Sequence, residues 1–159
     1  MSLKNNNFSI LDSFLAQIAI LDPSGTIIHV NDAWTEFALD NGADDVVAKG
    51  IGINYLNICG ADQSALKKGA SEIMNGINNV LSGKVLTFTF HYPCHSPNEE
   101  RWFWMRVTPY KNLTGHALVS HFNVTERVLA EQALSATHNS ARSTRANSYR
   151  RTERRKAAR

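Results

Sequence analysis

The sequence is short of the residues that would announce several common classes of protein. Its 159 residues hold only two cysteines, Cys59 and Cys94, and four prolines. Two thiols cannot build the disulfide framework of a secreted domain this size, so a reducing compartment is the plain reading. No stretch approaches the roughly 18 uninterrupted apolar residues of a membrane span. The opening from Met1 to Asn7 is polar, with no apolar run behind a basic segment as a signal peptide has. The expected location is therefore the cytosol. Catalytic signatures are missing too: there is no Gly-rich phosphate loop and no G-x-S-x-G. His29, His91, His95, His116, His121 and His138 fall mostly in strand-like stretches, without a local nucleophile or paired carboxylates. A kinase phospho-acceptor histidine would be followed closely by acidic and Arg residues, whereas His138 is followed by Asn139 and Ser140. The expectation is a protein that is not an enzyme. No internal repeat is visible.

What is present is apolar material, 43% of the residues, enough for the core of one domain. The net charge of +3 hides an asymmetry. Residues 136–159 carry eight basic side chains against Glu153 alone, while the other 135 residues hold nine basic and thirteen acidic ones. The fold itself is thus mildly acidic, and a nucleic-acid surface would need its positive charge on the fold. The Arg-rich end, with Tyr149 as its one aromatic, cannot bury a core and reads as solvated disorder. Its sharper reading is electrostatic attachment to nucleic acid or an anionic surface.

Apolar residues at Ile10, Leu11, Phe14, Leu15 and Ile18 have helical spacing, which predicts a short amphipathic lead-in helix. Ile18 to Leu21 and Thr26 to Val30 flank Asp22-Pro23-Ser24-Gly25, a hairpin in which Gly25 supplies the left-handed position. Asn31 or Asp32 caps a short helix through Trp34, Phe37 and Leu39. Residues 40–63 are broken by glycines into loop and short helical turns. Leu66, Ala70, Ile73, Ile77 and Val80 predict one long helix from Ser64 to Leu81, ended by Ser82-Gly83. Three strands follow, at Lys84 to Tyr92, Arg101 to Tyr110 and His116 to Asn123. In the first, Leu86, Phe88, Phe90 and Tyr92 share a face. In the second, Trp102 and Trp104 oppose Phe103, Met105 and Val107, so both faces are apolar and both want cover. A second subunit or the lead-in helix would cover the face away from the helices. Thr125 can cap a final helix running to Leu134.

This order of elements resembles the PAS sensor domain family, on five segments across roughly residues 15–128. These are Ile20 to Ile27 leading into Val30-Asn31-Asp32-Ala33-Trp34; Gly52-Ile53-Asn54-Tyr55-Leu56; Tyr92 to Pro97; Arg101 to Pro109; and the closing Asn123-Val124-Thr125-Glu126-Arg127. The resemblance implies an α+β fold, a five-stranded antiparallel sheet with helices packed on one face. The boundaries are a lead-in helix over 1–15, a PAS domain over 16–125, the start of a C-terminal signalling helix over 126–135 and a basic tail over 136–159. It implies a sensory module of bacterial signal transduction that binds a small ligand or cofactor between sheet and helices. Output would pass to a kinase, cyclase or transcription regulator through Asn123, Thr125, Glu126 and Arg127. Asn123 stands where the family's closing motif usually has Asp, so no ion-pair latch is available there.

The expected pocket is lined by Trp34, Phe37, Tyr55, Leu56, Ile73, Ile77, Phe88, Phe90, Met105 and Val107. Light-sensing relatives carry Gly-x-Asn-Cys where this chain has Gly52-Ile53-Asn54-Tyr55, which points away from a covalent flavin adduct. Cys59 reads as a buried small hydrophobe. The long helix has no histidine to serve as axial ligand, which points away from haem. A small metabolite or nothing is the expected occupant, and non-covalent FAD is compatible with apolar walls. His91, Cys94 and His95 offer three metal ligands where a closed site needs four, so a turn bracketed by Pro93 and Pro97 is expected instead. The module is expected to be a homodimer. The alternatives are a ligand-free PAS dimerisation or interaction domain, and binding of nucleic acid or an anionic surface by the tail alone.

Overall fold

The computed structural model describes residues 8–57, 66–96, 98–139 and 142. Expectations for the polar opening, for Cys59, for the helix start at Ser64, for Pro97 and for the tail beyond Arg142 lie outside the described residues. The chain divides into two units, at Val124 and Thr125.

The first unit is built on five strands, β1 (Gln17–Leu21), β2 (Ile27–Val30), β3 (Phe88–Pro93), β4 (Trp102–Pro109) and β5 (Ala117–Asn123). They form one sheet in the order β2-β1-β5-β4-β3, and every neighbouring pair is antiparallel. Between β2 and β3 the chain makes α1 (Asp32–Asp40), α2 (Asp45–Lys49) and α3 (Leu66–Leu81). The second unit contains a helix over 125–139, on which Arg127 Nε donates to exposed Glu131 at 2.8 Å, one turn away. No described helix is long and apolar enough to cross a membrane.

The β1–β2 turn is closed by Asp22, whose Oδ1 accepts from the Ser24 N–H at 2.8 Å, the Ser24 hydroxyl at 2.6 Å and the Thr26 N–H at 2.9 Å. Burial alone would raise the Asp22 pKa, but these hydrogen bonds hold it below the usual carboxylate value. Gly25 takes φ +82°, the left-handed conformation that the turn requires.

Register divides the sheet into two faces. Inward lie Ala19 and Leu21 of β1, Phe103, Met105 and Val107 of β4, and Ala117, Val119 and His121 of β5. Ile73, Ile77 and Val80 of α3 join the same buried core, a spacing of one helical stripe. Helix and edge strand approach closely. A Cβ added at Gly69 would collide with the Phe90 ring, and one at Gly76 with the Phe88 ring.

Three expectations are corrected. The lead-in is a six-residue 3-10 helix, Phe8–Ser13, because the Leu11, Phe14 and Ala16 carbonyls accept from the Asn31 side-chain amide instead of continuing an α-helical ladder. Strand β3 begins at Phe88 rather than Lys84. The Lys84 and Val85 N–H groups both reach the Asn79 carbonyl and finish α3, so they are spent before pairing with β4 begins, and Leu86 is 80% exposed. Strands β4 and β5 each start one residue later than expected, and β4 ends one residue earlier.

The outer face carries an aromatic row, His91 stacked on Trp104 at 6.0 Å and Trp104 against Phe122 at 5.4 Å. Elsewhere on that face Phe8 stacks on His29 at 4.5 Å and approaches Tyr110.

Candidate functional site

Three segments bring polar chemistry into an otherwise apolar interior. The first is the turn after α2. It is stitched to the β1–β2 hairpin by Tyr55 N–H to the Gly25 carbonyl at 2.9 Å, by Ile27 N–H to the Ile53 carbonyl at 2.9 Å and by Asn54 Nδ2 to the Ser24 carbonyl at 2.9 Å. Those bonds fix the backbone from which the buried Tyr55 side chain extends. The second is β3, whose alternation turns Tyr92 inward with Phe88 and Phe90. The third is β5, where period-two alternation from Ala117 through Val119 delivers His121 to the same face.

The three side chains meet. The Tyr55 hydroxyl lies 2.9 Å from His121 Nε2, and the Tyr92 hydroxyl lies 2.7 Å from His121 Nδ1. The Tyr55 O–H donates to Met105 Sδ at 3.6 Å. A hydroxyl has one proton, so with that proton on Met105 the Tyr55 oxygen accepts from Nε2–H. Nδ1 is then the bare nitrogen that accepts from the Tyr92 hydroxyl. The hydrogen bonds run one way, from Tyr92 to His121 to Tyr55 to Met105.

Burial keeps the imidazole neutral, pushing its pKa down to about 4. Rings close around the trio. Trp34 lies 5.8 Å from His121 and 6.2 Å from Tyr55, Tyr92 stacks on Phe103 at 5.9 Å, and Phe37 meets Phe103 edge-on at 5.4 Å. Trp34 is placed by Asn31, the N-cap of α1, whose Oδ1 accepts from both the Trp34 N–H and the Ile18 N–H. Arg101 stands beside this group, 5.2 Å over the Phe37 ring, with Nε on the Cys94 carbonyl and Nη2 on Asn41.

Of the ten residues expected to line the pocket, Tyr55, Ile73, Ile77, Met105 and Val107 are buried in one core, and Trp34, Phe37, Leu56, Phe88 and Phe90 pack against it. The structure therefore brings all ten into one packed group. Sequence reasoning missed His121, and it read Tyr92 without assigning it to the site. The missed signal was the alternation Ala117, Val119, His121, which puts an imidazole on an apolar inner face. Asn123 ends β5 opposite Phe103, and Thr125, Glu126 and Arg127 open the helix of the second unit. The three side chains considered for a metal have separate partners. His91 stacks on Trp104, His95 Nδ1 accepts from the Arg101 N–H at 3.0 Å, and Cys94 packs against the core.

No protein-family model matches the chain. Its sequence is similar to an uncharacterized 104.1 kDa protein in the hypE 3′ region of Rhodobacter capsulatus, 40% identical over 118 residues. That stretch is 74% of this chain but 12% of the relative, so this chain spans a small part of the protein it matches. The structure is similar to the PAS domain of Bordetella pertussis BvgS, with a TM-score of 0.54 and 16% identity, over 83% of this chain and 93% of that one. It is also similar to the Vibrio cholerae VqmA dimer, with a TM-score of 0.52 and 12% identity, over 80% of this chain and 53% of that one. A sensor region of a sensor histidine kinase aligns at a TM-score of 0.51 and 15% identity, over 69% of this chain and 40% of that one. This chain is a PAS domain in fold.

Proposed function

We propose that this chain is a cytoplasmic sensory PAS module, binding a small ligand or cofactor between sheet and helices and relaying its state through β5 into the helix over 125–139. The observation that carries the reading is the buried Tyr55–His121–Tyr92 network. An apolar core gains more stability from a well-packed hydrophobe than from an imidazole that must be desolvated and satisfied on both sides. A polar group retained there, on the strand that leads out of the domain, suits a site that orients a guest. His121 is two residues before Asn123, the end of β5. A change in its hydrogen bonding therefore acts on the strand that continues into Thr125.

The output partner is a kinase, cyclase or transcription regulator; the similar structures include the sensor region of a sensor histidine kinase and VqmA, a receptor with a target DNA. The acting form is a homodimer. Leu15 is 97% exposed, Ile10 69% and Phe14 52%, and a second copy covering them would remove three large apolar side chains from water. The Vibrio cholerae VqmA structure is itself of a dimer.

A second reading has its own observation. Phe88 and Phe90 fill the places that side chains at Gly76 and Gly69 would take, the packing expected of a ligand-free interaction domain. Native mass spectrometry of the purified chain separates the two. A bound small mass, released on denaturation, is the expected result; a bare chain after expression in several hosts favours the ligand-free domain.

A further inference from the structure

Resting on the ligand-binding reading above, we infer that the guest is a neutral planar molecule whose polar end accepts the hydrogen bond His121 Nε2–H now gives to Tyr55.

Among the described residues the buried polar side chains are Asn31, Ser120 and His121, with no buried Lys, Arg, Asp or Glu. Asn31 is consumed by its bonds to Ile18, Trp34, Leu11, Phe14 and Ala16. Ser120 alternates with His121 along β5 and pairs with Ile18 and Arg106, on the outer face. His121 is left as the buried polar group turned toward the helices, and it carries no charge at neutral pH. A carboxylate or phosphate entering there would lose its hydration with no buried cation among the described residues to replace it, a heavy penalty. A carbonyl or ring nitrogen would lose one water hydrogen bond and regain one.

Tyr55 is the partner that yields. Tyr92 is held within a strand and stacked on Phe103, and its bond to His121 is the shorter, at 2.7 Å against 2.9 Å. Tyr55 lies outside the sheet, at the start of a helical segment described over 55–57. Displacing its hydroxyl exposes an N–H, so the ligand brings an acceptor. Trp34, within 6.2 Å of both Tyr55 and His121, supplies a flat wall for a ring.

The test uses the full chain with matched pairs, benzamide against benzoate and indole carboxamide against indole carboxylate, read at neutral pH by thermal shift and tryptophan fluorescence. The amides should bind about tenfold or more tightly than the acids, and H121N should weaken amide binding about tenfold, the effect of roughly one buried hydrogen bond. Should H121N fail to fold, Y55F serves: it removes the competitor, and amide binding at least as tight as in the parent is expected. Carboxylates binding as well as amides would overturn the inference, leave the ligand reading standing and point to Arg101. Amide binding unchanged in H121N, or weakened in Y55F, would overturn it too. No binding by any pair, with no bound mass in the native spectrum, would overturn both the inference and the reading beneath it.

Discussion

Tyr92 on β3 and His121 on β5 are hydrogen bonded at 2.7 Å although β4 runs between their strands. Two inter-strand spacings are about 9.6 Å, which the length of the two side chains covers by crossing Phe103 and Met105. The edge strand, the middle of the sheet and the segment carrying Tyr55 are thereby tied through one imidazole.

That imidazole makes stability depend on pH. The folded-state pKa of His121 lies near 4, below the ordinary 6.5, so the unfolded chain binds the extra proton between those values. Stability from neutral His121 is complete above pH 6.5 and is lost as pH falls toward 4, by about 3 kcal/mol in all. His29, also lowered by burial and only partly offset by Asp12, acts in the same direction. Urea midpoints measured across this range should fall with pH in the parent and fall less in H121Q; parallel curves would contradict the assignment.

Asn31 holds the N-terminal segment to the sheet. Its side chain is 1% exposed and serves five backbone groups. N31A strands buried donors and acceptors and should destabilise the unit by about 2–4 kcal/mol. N31D, which sets a carboxylate oxygen against the Leu11, Phe14 and Ala16 carbonyls, should do no better. Chemical denaturation measures both, and limited proteolysis should show earlier cleavage before β1.

Gly76 is where helix propensity and packing oppose each other. Alanine is favoured over glycine in a helix by about 1 kcal/mol, yet its methyl group would strike the Phe88 ring. G76A should be net destabilising by about 1–3 kcal/mol. N75A, at an exposed position on the same helix, should be neutral or slightly stabilising. Thermal melts of the two variants give opposite signs if the helix rests on β3 through its glycine.

The exposed side chains of Ile10, Phe14 and Leu15 predict the oligomeric state. Replacing all three with serine removes apolar surface without touching the carbonyls that Asn31 holds. The variant should elute as a monomer with an unchanged circular dichroism spectrum, while the parent elutes as a dimer. An unchanged elution volume would place the interface elsewhere.

Most of the architecture was legible because it is written in short-range patterns. The Asp22-Pro23-Ser24-Gly25 turn, the Asn31 cap, the stripe of Ile73, Ile77 and Val80 and the alternation around Phe103 each depend on neighbours a few residues apart. What escaped depends on distant partners. The lead-in segment has helical spacing, but its carbonyls are claimed by Asn31, some 15 to 20 residues later. Lys84 looks like strand until Asn79 takes its N–H. His121 is one histidine among several in strand-like sequence. The alternation with Ala117 and Val119 turns it inward, unlike His91 and His116, but its partner Tyr92 is named only by the sheet order, which places β3 two strands away.

The central claim is that a small guest sits against His121 on the inner face of this sheet. The direct measurement is a chemical-shift map of the isotopically labelled chain with and without the molecule extracted from the purified protein. The account predicts shifts at Trp34, Tyr55, Tyr92, Met105 and His121, including the His121 side-chain nitrogens. Shifts confined to Trp104, Phe122 and the outer face, or none in the interior, would contradict it.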